Sequence, residues 1–163
     1  MNKNTLNSKL DPMTHLLDIQ LASDADNIPS AALFQQWLNT ALSELSVSVE
    51  VLIRIVDEPE MTELNQTYRH KTGATNILSF PFEAPAGVDL NLLGDLVVCA
   101  PVLEREALAQ NKSLEQHWAH IVIHGLFHLL GYDHNNEIEA EAMEALEVKA
   151  LKKLHINNPY EER

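Results

Sequence analysis

The sequence predicts an α+β fold: a single compact domain with a small mixed β-sheet of about four strands and about five helices. Its 163 residues, of which 45% are hydrophobic, suffice for one core. Segments of strand and helix periodicity alternate in the order βαβαββααα, and no linker or repeat divides them. We expect residues 1–12 to form a polar, disordered tail, residues 13–155 the domain, and residues 156–163 a C-terminal tail.

The spacing of apolar residues changes from every second residue to a helical spacing, and this change separates the first strand from the first helix. Apolar and polar residues alternate from 17 to 21, as in a half-buried strand. Pro29 and Ser30 then open a helical pattern. The apolar residues that share one face of this helix are Leu33, Trp37, Ala41 and Leu45.

A second strand and a second helix follow at once. Every second residue is Val or Ile between residues 47 and 55, which predicts a strand over 47–56. Asp57 is placed to cap the next helix, whose first turns carry acidic residues as the helix dipole prefers. The apolar positions of this helix are Met61, Leu64 and Tyr68.

The sequence of the middle of the chain predicts two strands separated by a surface loop. Residues 69–76 have loop composition, residues 77–82 form a short strand, and residues 83–91 contain Pro and Gly. Residues 93–100 are apolar enough for a central strand.

Three helices complete the prediction. Pro101 fits the first turn of a helix that runs to about residue 110. Ser113 and Gln116 form a capping box that opens a long helix, which we expect to end at Gly131. A last helix is predicted over 137–154, and its five glutamates between residues 137 and 147 are interpreted as a solvated face.

Charge and cysteine content restrict the function. Lys and Arg number 11 against 24 Asp and Glu, a formal charge of −13, which excludes a broad polybasic face for nucleic acid or anionic membrane. The single Cys99 cannot form an intramolecular disulfide, and no signal-like or membrane-spanning apolar run occurs. We expect a soluble, cytoplasmic protein with no membrane partner and no DNA partner, whose phosphate contacts come from a small local site.

Histidines are concentrated in one segment and predict a metal site at the end of the long helix. Of eight histidines, five lie within the 18 residues 117–134. His124 and His128 are four residues apart on one helix face, Gly131 allows the chain to turn back, and His134 follows. These three imidazoles predict one zinc ion, although another divalent transition metal would fit the same ligands.

Two further histidines share the same stripe and leave a competing ligand set to consider. A set that uses His120 and His124 has no third ligand and no turn at a suitable distance, so we interpret His117 and His120 as solvent-facing or as hydrogen-bond donors near the site. Three neutral imidazoles leave an open coordination position, which is typical of a catalytic metal. Asp133 either caps the turn or orients a histidine or a water molecule.

A metallopeptidase has to be weighed, because metzincin peptidases share the histidine spacing. Their first histidine is followed by a glutamate general base, and Gly125 occupies that position here. The missing base argues against peptide hydrolysis.

A second cluster predicts a phosphate clamp. Arg69, His70 and Lys71 form the densest positive patch of this acidic chain, in a predicted loop. Arg69 can hold a phosphate through two parallel hydrogen bonds, so it is the favoured substrate anchor, and Lys71 adds a point charge. Ser79 is a further candidate substrate contact, as are Thr75 and Asn76, although turn formation explains these side chains equally well.

Four stretches of the sequence together resemble the YbeY endoribonucleases, also called rRNA maturation factors. They cover the chain from about residue 16 to 154 in the right order. The stretches are Leu64-Asn65-x2-Tyr68-Arg69-x-Lys71, Thr75-Asn76-Ile77-Leu78-Ser79-Phe80-Pro81, Leu93-Gly94-Asp95-Leu96 and His124-Gly125-Leu126-Phe127-His128-Leu129-Leu130-Gly131-Tyr132-Asp133-His134.

The resemblance implies a metal-dependent single-strand endoribonuclease that acts in small-subunit (16S) rRNA 3′-end maturation and in ribosome quality control. It implies that His124, His128 and His134 bind the metal and that Arg69 faces them as a catalytic residue. The implied partners are an rRNA precursor and the small ribosomal subunit or an assembly factor.

Two alternatives stay open at this point. One is a zinc metallopeptidase-like hydrolase, and the other is a non-catalytic ribosome-assembly factor in which the metal is structural. No general base is evident, so the nucleophile is either water or the RNA 2′-hydroxyl.

Overall fold

Four strands and five helices follow one another along residues 14–87 and 91–161, the part of the chain that the computed structural model describes. The strands are β1 (Leu16–Ala22), β2 (Glu50–Val56), β3 (Ile77–Pro81) and β4 (Leu92–Cys99). The helices are α1 (Ala31–Ala41), α2 (Glu58–Arg69), α3 (Ala100–Ala109), α4 (Leu114–Leu129) and α5 (Glu137–Lys153). The predicted α+β class and element order are confirmed; the predicted N-terminal tail, residues 1–12, lies outside the described residues.

The four strands form one mixed sheet in the order β1-β2-β4-β3. The first three strands in this order run parallel, and β3 pairs antiparallel with β4. Among the described residues, β3 has a neighbouring strand on one side only, so it is an edge strand of this sheet.

Helices cover the two faces of the sheet unequally. Helices α1, α4 and α5 contribute to the larger core, where Phe34 packs edge-on against Trp37 and Trp118 with ring centroids 5.3 and 5.6 Å apart. Helices α2 and α3 bury Met61 and Val102 in a smaller cluster on the other side. Ten of the sixteen residues of α4 are buried, so α4 is the central helix of the domain.

The beginnings of two elements differ from the prediction. Strand β2 starts at Glu50 rather than at residue 47, and Val47 is 54% exposed. Asp57 stands at the N-cap position of α2 but does not cap it, because its carboxylate accepts hydrogen bonds from the Ser23 hydroxyl and the Asp24 amide. These two donors, in the loop that follows β1, compete with the helix for the same side chain. The Ser113 cap of α4 is confirmed through the Gln116 amide.

A Schellman motif ends α4 two residues before the predicted position. Gly131 has a φ of +103°, which only glycine adopts at low cost. Its N–H donates to the His128 carbonyl at 2.9 Å, and the Tyr132 N–H donates to the Phe127 carbonyl at 3.1 Å. This turn reverses the chain immediately after the last helical histidine.

The acidic face of α5 is only partly solvated. Glu147 is fully buried, so its interpretation as a solvated residue is wrong. It lies on the side of α5 that packs against α4, where histidines supply hydrogen bonds to its carboxylate.

The C-terminal residues also contact the domain: Ile156 packs against the larger core, and Tyr160 reaches Glu147. In the described part of the chain, no helix combines the length and the apolar character needed to cross a bilayer.

Candidate active site

A cleft of about 530 Å³ lies between the C-terminal ends of α2 and α4 and the edge strand β3. The loops that follow α2 and α4 close the sides of this cleft. Every candidate site residue predicted from the sequence lines this cleft: Arg69, Lys71, Ser79, His124, His128 and His134. The basic cluster and the histidine cluster, which are more than 50 residues apart in the chain, therefore face one solvent-filled space.

Three histidines converge at the end of α4. One ring nitrogen from each of His124, His128 and His134 lies within 4.8 Å of the others. The Nε2 atoms of His124 and His128 are 3.1 Å apart. Asp133 fixes the turn that brings His134 back, since its carboxylate accepts from the His134 amide at 2.8 Å. The turn-capping alternative predicted for Asp133 is therefore the one observed.

The donor set fits a zinc ion. Two nitrogens bound to one tetrahedral zinc at about 2.0–2.1 Å would be about 3.3 Å apart, close to the distance observed between His124 and His128. Imidazole is a preferred ligand of zinc, copper, nickel and iron, so the residues do not select one of these metals. The described residues could thus hold a divalent transition metal without rearrangement of the helix.

Burial keeps the central histidine in its metal-binding form. Desolvation lowers the pKa of His128, and the neighbouring His124 and His134 rings lower it further. A hydrogen bond with the backbone of Tyr132 opposes this effect. The neutral imidazole, which is the form that binds metals, is favoured at neutral pH.

A buried carboxylate lies behind the histidines. Glu147 accepts from His124 Nδ1 at 2.7 Å and from His120 Nε2 at 3.0 Å, and it also accepts from the Tyr160 hydroxyl. Burial raises the pKa of Glu147, but these hydrogen bonds outweigh it and bring the pKa to about 2. Burial and the adjacent carboxylate raise the pKa of Tyr160. Glu147 is therefore an anion in contact with the site.

The remaining two histidines of the α4 stripe do not join the three-histidine cluster. His117 is buried and donates through Nε2 to Glu106 at 2.9 Å, and Asn76 donates to the same carboxylate. His120 lines the cleft and contacts Glu147 and Tyr160. Of the two roles predicted for this pair, hydrogen bonding is the one observed.

The basic loop is held against its own helix. His70 ends α2 with a left-handed backbone, φ +56°, and the Lys71 N–H donates to the Asn65 carbonyl. The buried Asn65 side chain donates to the Gly73 carbonyl at 2.8 Å. These bonds fold residues 70–73 back on α2 and direct the end of the helix towards the cleft.

Arg69 differs from the other arginines of the described residues. Arg54 pairs with Glu60 at 2.6 Å and Arg105 pairs with Glu58 at 2.6 Å. Within residues 14–87 and 91–161, Arg69 has no carboxylate partner. An exposed guanidinium beside a cleft, left unpaired in an acidic protein, is available for an anionic ligand.

Gly125 fills the position at which metzincins carry glutamate, and the structure explains why a larger residue does not fit. A Cβ atom there would lie 2.6 Å from Ile77 Cδ1 and 2.9 Å from Leu96 Cδ2. The residue faces the sheet rather than the cleft. A glutamate at this position would therefore meet strands β3 and β4 instead of a substrate.

Two residues that contact the histidines were missed by the sequence reasoning. Glu147 was grouped with exposed glutamates, although it falls on the same α5 face as the buried Met143, Ala150 and Leu151. That periodicity was the available signal. Tyr160 gave no signal, because its contact with Glu147 depends on how the segment after α5 folds back.

The fold and the cleft place this chain among α+β proteins that carry a three-histidine cluster at the C-terminal end of a central helix. Residues 18–155 match the family model described as Endoribonuclease YbeY. The chain therefore belongs to the Endoribonuclease YbeY family.

Individual relatives agree with this assignment. A curated protein of Colwellia psychrerythraea (strain 34H / ATCC BAA-681), named Endoribonuclease YbeY, is 49% identical over 155 residues, which cover 93% of this chain and 100% of the relative. The solution structure of TM1509 from Thermotoga maritima superposes with a TM-score of 0.54 at 24% identity, over 88% of this chain and 99% of that one. At that identity the second likeness shows the fold alone.

Proposed function

We propose that this protein is a metal-dependent endoribonuclease that cleaves single-stranded RNA in the cleft between α2, α4 and β3. The observation that carries the proposal is the convergence of three histidines and one unpaired arginine on the same cleft. The family description and the name of the Colwellia relative support the class of reaction. The substrate we propose is the 3′-end region of small-subunit (16S) precursor rRNA, with a further role in ribosome quality control.

The proposed metal ligands are His124, His128 and His134, and the proposed ion is zinc. When bound, the ion would supply a Lewis acid that polarises a phosphoryl oxygen and lowers the pKa of a water molecule. The fixed turn after Gly131 supports this role, because it holds the third imidazole near the first two without a flexible loop.

Arg69 and Lys71 are the proposed phosphate contacts. Arg69 can donate two hydrogen bonds to a phosphate and stabilise the charge that develops during cleavage, and Lys71 adds positive charge nearby. Ser79 is the proposed third substrate contact. Among the described residues, its hydroxyl makes one long hydrogen bond, 3.5 Å to the Gly125 carbonyl, so the hydroxyl can turn from that carbonyl to a substrate atom at low cost.

The overall charge of −13 argues for help in docking RNA. Like charges repel at long range, so affinity for protein-free RNA at physiological salt should be modest. We propose that the small ribosomal subunit or an assembly factor supplies additional binding energy, and that the enzyme acts in the cytoplasm.

Two other functions rank lower. A peptidase would need a general base, and the tight packing around Gly125 leaves no room for a glutamate there. A non-catalytic assembly factor would not need an unpaired arginine opposite the histidines. Of the two, the assembly factor becomes the favoured hypothesis if the protein cleaves neither the isolated precursor RNA nor the RNA of the ribosomal particle.

The test is cleavage of end-labelled small-subunit precursor rRNA by identically purified proteins, with zinc or with a chelator. The variants are His128→Ala and Arg69→Ala, and Arg105→Ala is the matched control because its guanidinium is paired away from the cleft. We expect the wild type and the control to cut, His128→Ala to be inactive, and Arg69→Ala to lose about 10²- to 10³-fold in rate.

The outcomes separate the alternatives. Equal cutting by all four proteins would identify a contaminating nuclease and contradict the proposal. The product ends report the nucleophile: 2′,3′-cyclic phosphates indicate attack by the RNA 2′-hydroxyl, and linear phosphates indicate attack by water.

A further inference from the structure

We propose that Glu147 and Tyr160 are positioning residues of the histidine cluster: they hold His124 with its Nδ1 protonated and its Nε2 free to bind the ion. The proposal rests on the metal site of the proposed function and adds to it the C-terminal segment, which lies beyond the residues matched by the family model.

The first step concerns the proton on His124. Glu147 is fully buried, and its two oxygens lie against three donor groups, so the carboxylate is the acceptor in each of these contacts. The 2.7 Å contact between His124 Nδ1 and Glu147 Oε2 therefore requires the hydrogen on Nδ1. A neutral imidazole carries one N–H, so the lone pair is on Nε2, the atom that lies 3.1 Å from His128 Nε2.

The second step concerns what holds the carboxylate. A buried carboxylate is costly unless several donors satisfy it. Oε1 of Glu147 accepts from the Tyr160 hydroxyl and from His120 Nε2, so Oε2 is left for His124. The Tyr160 backbone is itself fixed by the Asn158 side chain at 2.8 Å. Tyr160 thus acts on the histidine cluster through Glu147.

Metal affinity measures this role independently of RNA cleavage. Zinc dissociation constants would be determined by competition with a chelating dye for the wild type, Glu147→Gln and Tyr160→Phe, with the exposed Glu141→Gln as the matched control. Loss of such an outer hydrogen-bond partner weakens metal binding by about 10- to 100-fold. We expect that loss for Glu147→Gln, a smaller one for Tyr160→Phe, and none for the control.

A spectroscopic measurement keeps positioning separate from folding. In zinc-free protein, the ¹⁵N shifts of the His124 ring should report Nδ1–H with an unprotonated Nε2 in the wild type, and a mixture of tautomers in Glu147→Gln. The proposal is overturned if His124 carries its hydrogen on Nε2 in the wild type, or if folded Glu147→Gln binds zinc as tightly as the wild type. Failure of the metal site itself looks different, because then the wild type binds zinc no better than His128→Ala.

The free edge of β3 supports a second, independent proposal. The Cys99 N–H donates to the Asn76 carbonyl and the Phe82 N–H donates to the Leu93 carbonyl. Because hydrogen-bonded pairs alternate along an antiparallel ladder, the intervening bonded residues of β3 are Leu78 and Phe80.

The other residues of β3 point their backbone groups away from β4. Ile77 and Ser79 therefore present their amide N–H groups at the open edge, and Pro81, which has none, ends the row. Ile77 and Ser79 both line the cleft that contains the histidine cluster. Two N–H groups on one side of a strand are about 7 Å apart and form a short row of donors.

We infer that these two amides bind phosphate oxygens of an RNA strand that runs along β3 towards the histidines. The occupant is an anionic strand rather than a peptide because two cations, Arg69 and Lys71, line the same cleft, and Arg69 has no carboxylate partner among the described residues. Backbone amides that bind phosphates make no contact with the bases, so we expect this part of the cleft to bind RNA without sequence preference. It rests on the proposed function and specifies how the substrate lies.

Amide hydrogen exchange tests the contact, with neighbouring residues as internal controls. A single-stranded 2′-O-methyl oligoribonucleotide at saturating concentration should slow exchange at Ile77 and Ser79 by about tenfold or more. Leu78 and Phe80 should be protected both without and with RNA. Ser79→Pro removes the hydroxyl and also an N–H that lies outside the ladder, so it should weaken binding more than Ser79→Ala, which removes the hydroxyl alone.

The opposite results are equally clear. The proposal fails if Ile77 and Ser79 exchange equally fast with and without bound RNA, or if an unstructured peptide protects them equally well. If RNA binds, depends on Arg69 and leaves the two amides unprotected, the edge contact is wrong while the proposed function stands.

Discussion

Gly94→Ala should be among the most damaging small substitutions in this protein, because two costs coincide at this residue. Gly94 has a φ of +152°, outside the range that other residues adopt readily, which costs about 1–3 kcal/mol for alanine. The added Cβ would also lie 2.4 Å from the Phe80 carbonyl oxygen and 3.0 Å from Pro81 Cα. These are backbone atoms of the paired strand, which cannot rotate away, and such overpacking costs about 1–3 kcal/mol more.

The measurement is urea unfolding followed by circular dichroism. The expected loss of about 2–6 kcal/mol is a large part of the roughly 5–15 kcal/mol that stabilises an ordinary domain. With a slope of about 2 kcal/mol/M, the midpoint should fall by about 1–3 M.

Gly73→Ala is the matched control for backbone strain. Gly73 also has a positive φ, +84°, but a Cβ there would meet nothing within 4 Å. It should cost only about 1–2 kcal/mol, the penalty of a left-handed residue. The reasoning is refuted if Gly94→Ala costs no more than Gly73→Ala, since the contact with β3 would then have no measurable effect.

Three further results are expected. Zinc at 100 times its dissociation constant should raise the free energy of unfolding by about 2.7 kcal/mol, measured by urea unfolding with and without zinc, and His134→Ala should abolish most of this gain. Burial raises the pKa of Glu106, but hydrogen bonds from His117 and Asn76 outweigh this and hold it below the usual 4.5. Glu106 therefore contributes stability that is fully present above about pH 4.5 and is lost as the pH falls through the lower folded pKa. Glu106→Gln should flatten that part of a plot of unfolding free energy against pH. Burial also raises the pKa of the Cys99 thiol, so a thiol reagent should modify it at neutral pH only after unfolding, and rapid modification of folded protein would contradict its burial.

Local patterns were sufficient to predict the elements of the fold. Strands β1 and β2 show an apolar period of two, and helices α1 and α4 show a helical period. Each period reflects which face of one element is buried, so it can be recognised from consecutive residues alone. The mismatches occur at ends, such as Val47 before β2, where exposure rather than residue type decides where pairing begins.

The histidine cluster was predictable for a similar reason. His124 and His128 share a helix face by spacing, and Gly131 permits the turn that brings His134 back, so all three positions are set within eleven residues. Arg69 and Lys71 could be singled out from their charge, and their role as a phosphate clamp stays a prediction. Their place in the same cleft depends on the sheet, which brings the ends of α2 and α4 together.

By itself, then, the sequence determined the elements, their order, the three-histidine turn and the family, because these depend on residues close together in the chain or on their types. Only the tertiary structure decided that Glu147 is buried behind His124, that Tyr160 completes its hydrogen bonds, and that the free edge of β3 faces the cleft. Glu147 and His124 are 23 residues apart, on two helices. Their contact is set by how α5 packs against α4, and helix packing depends on the shapes of whole surfaces rather than on any short run of residues.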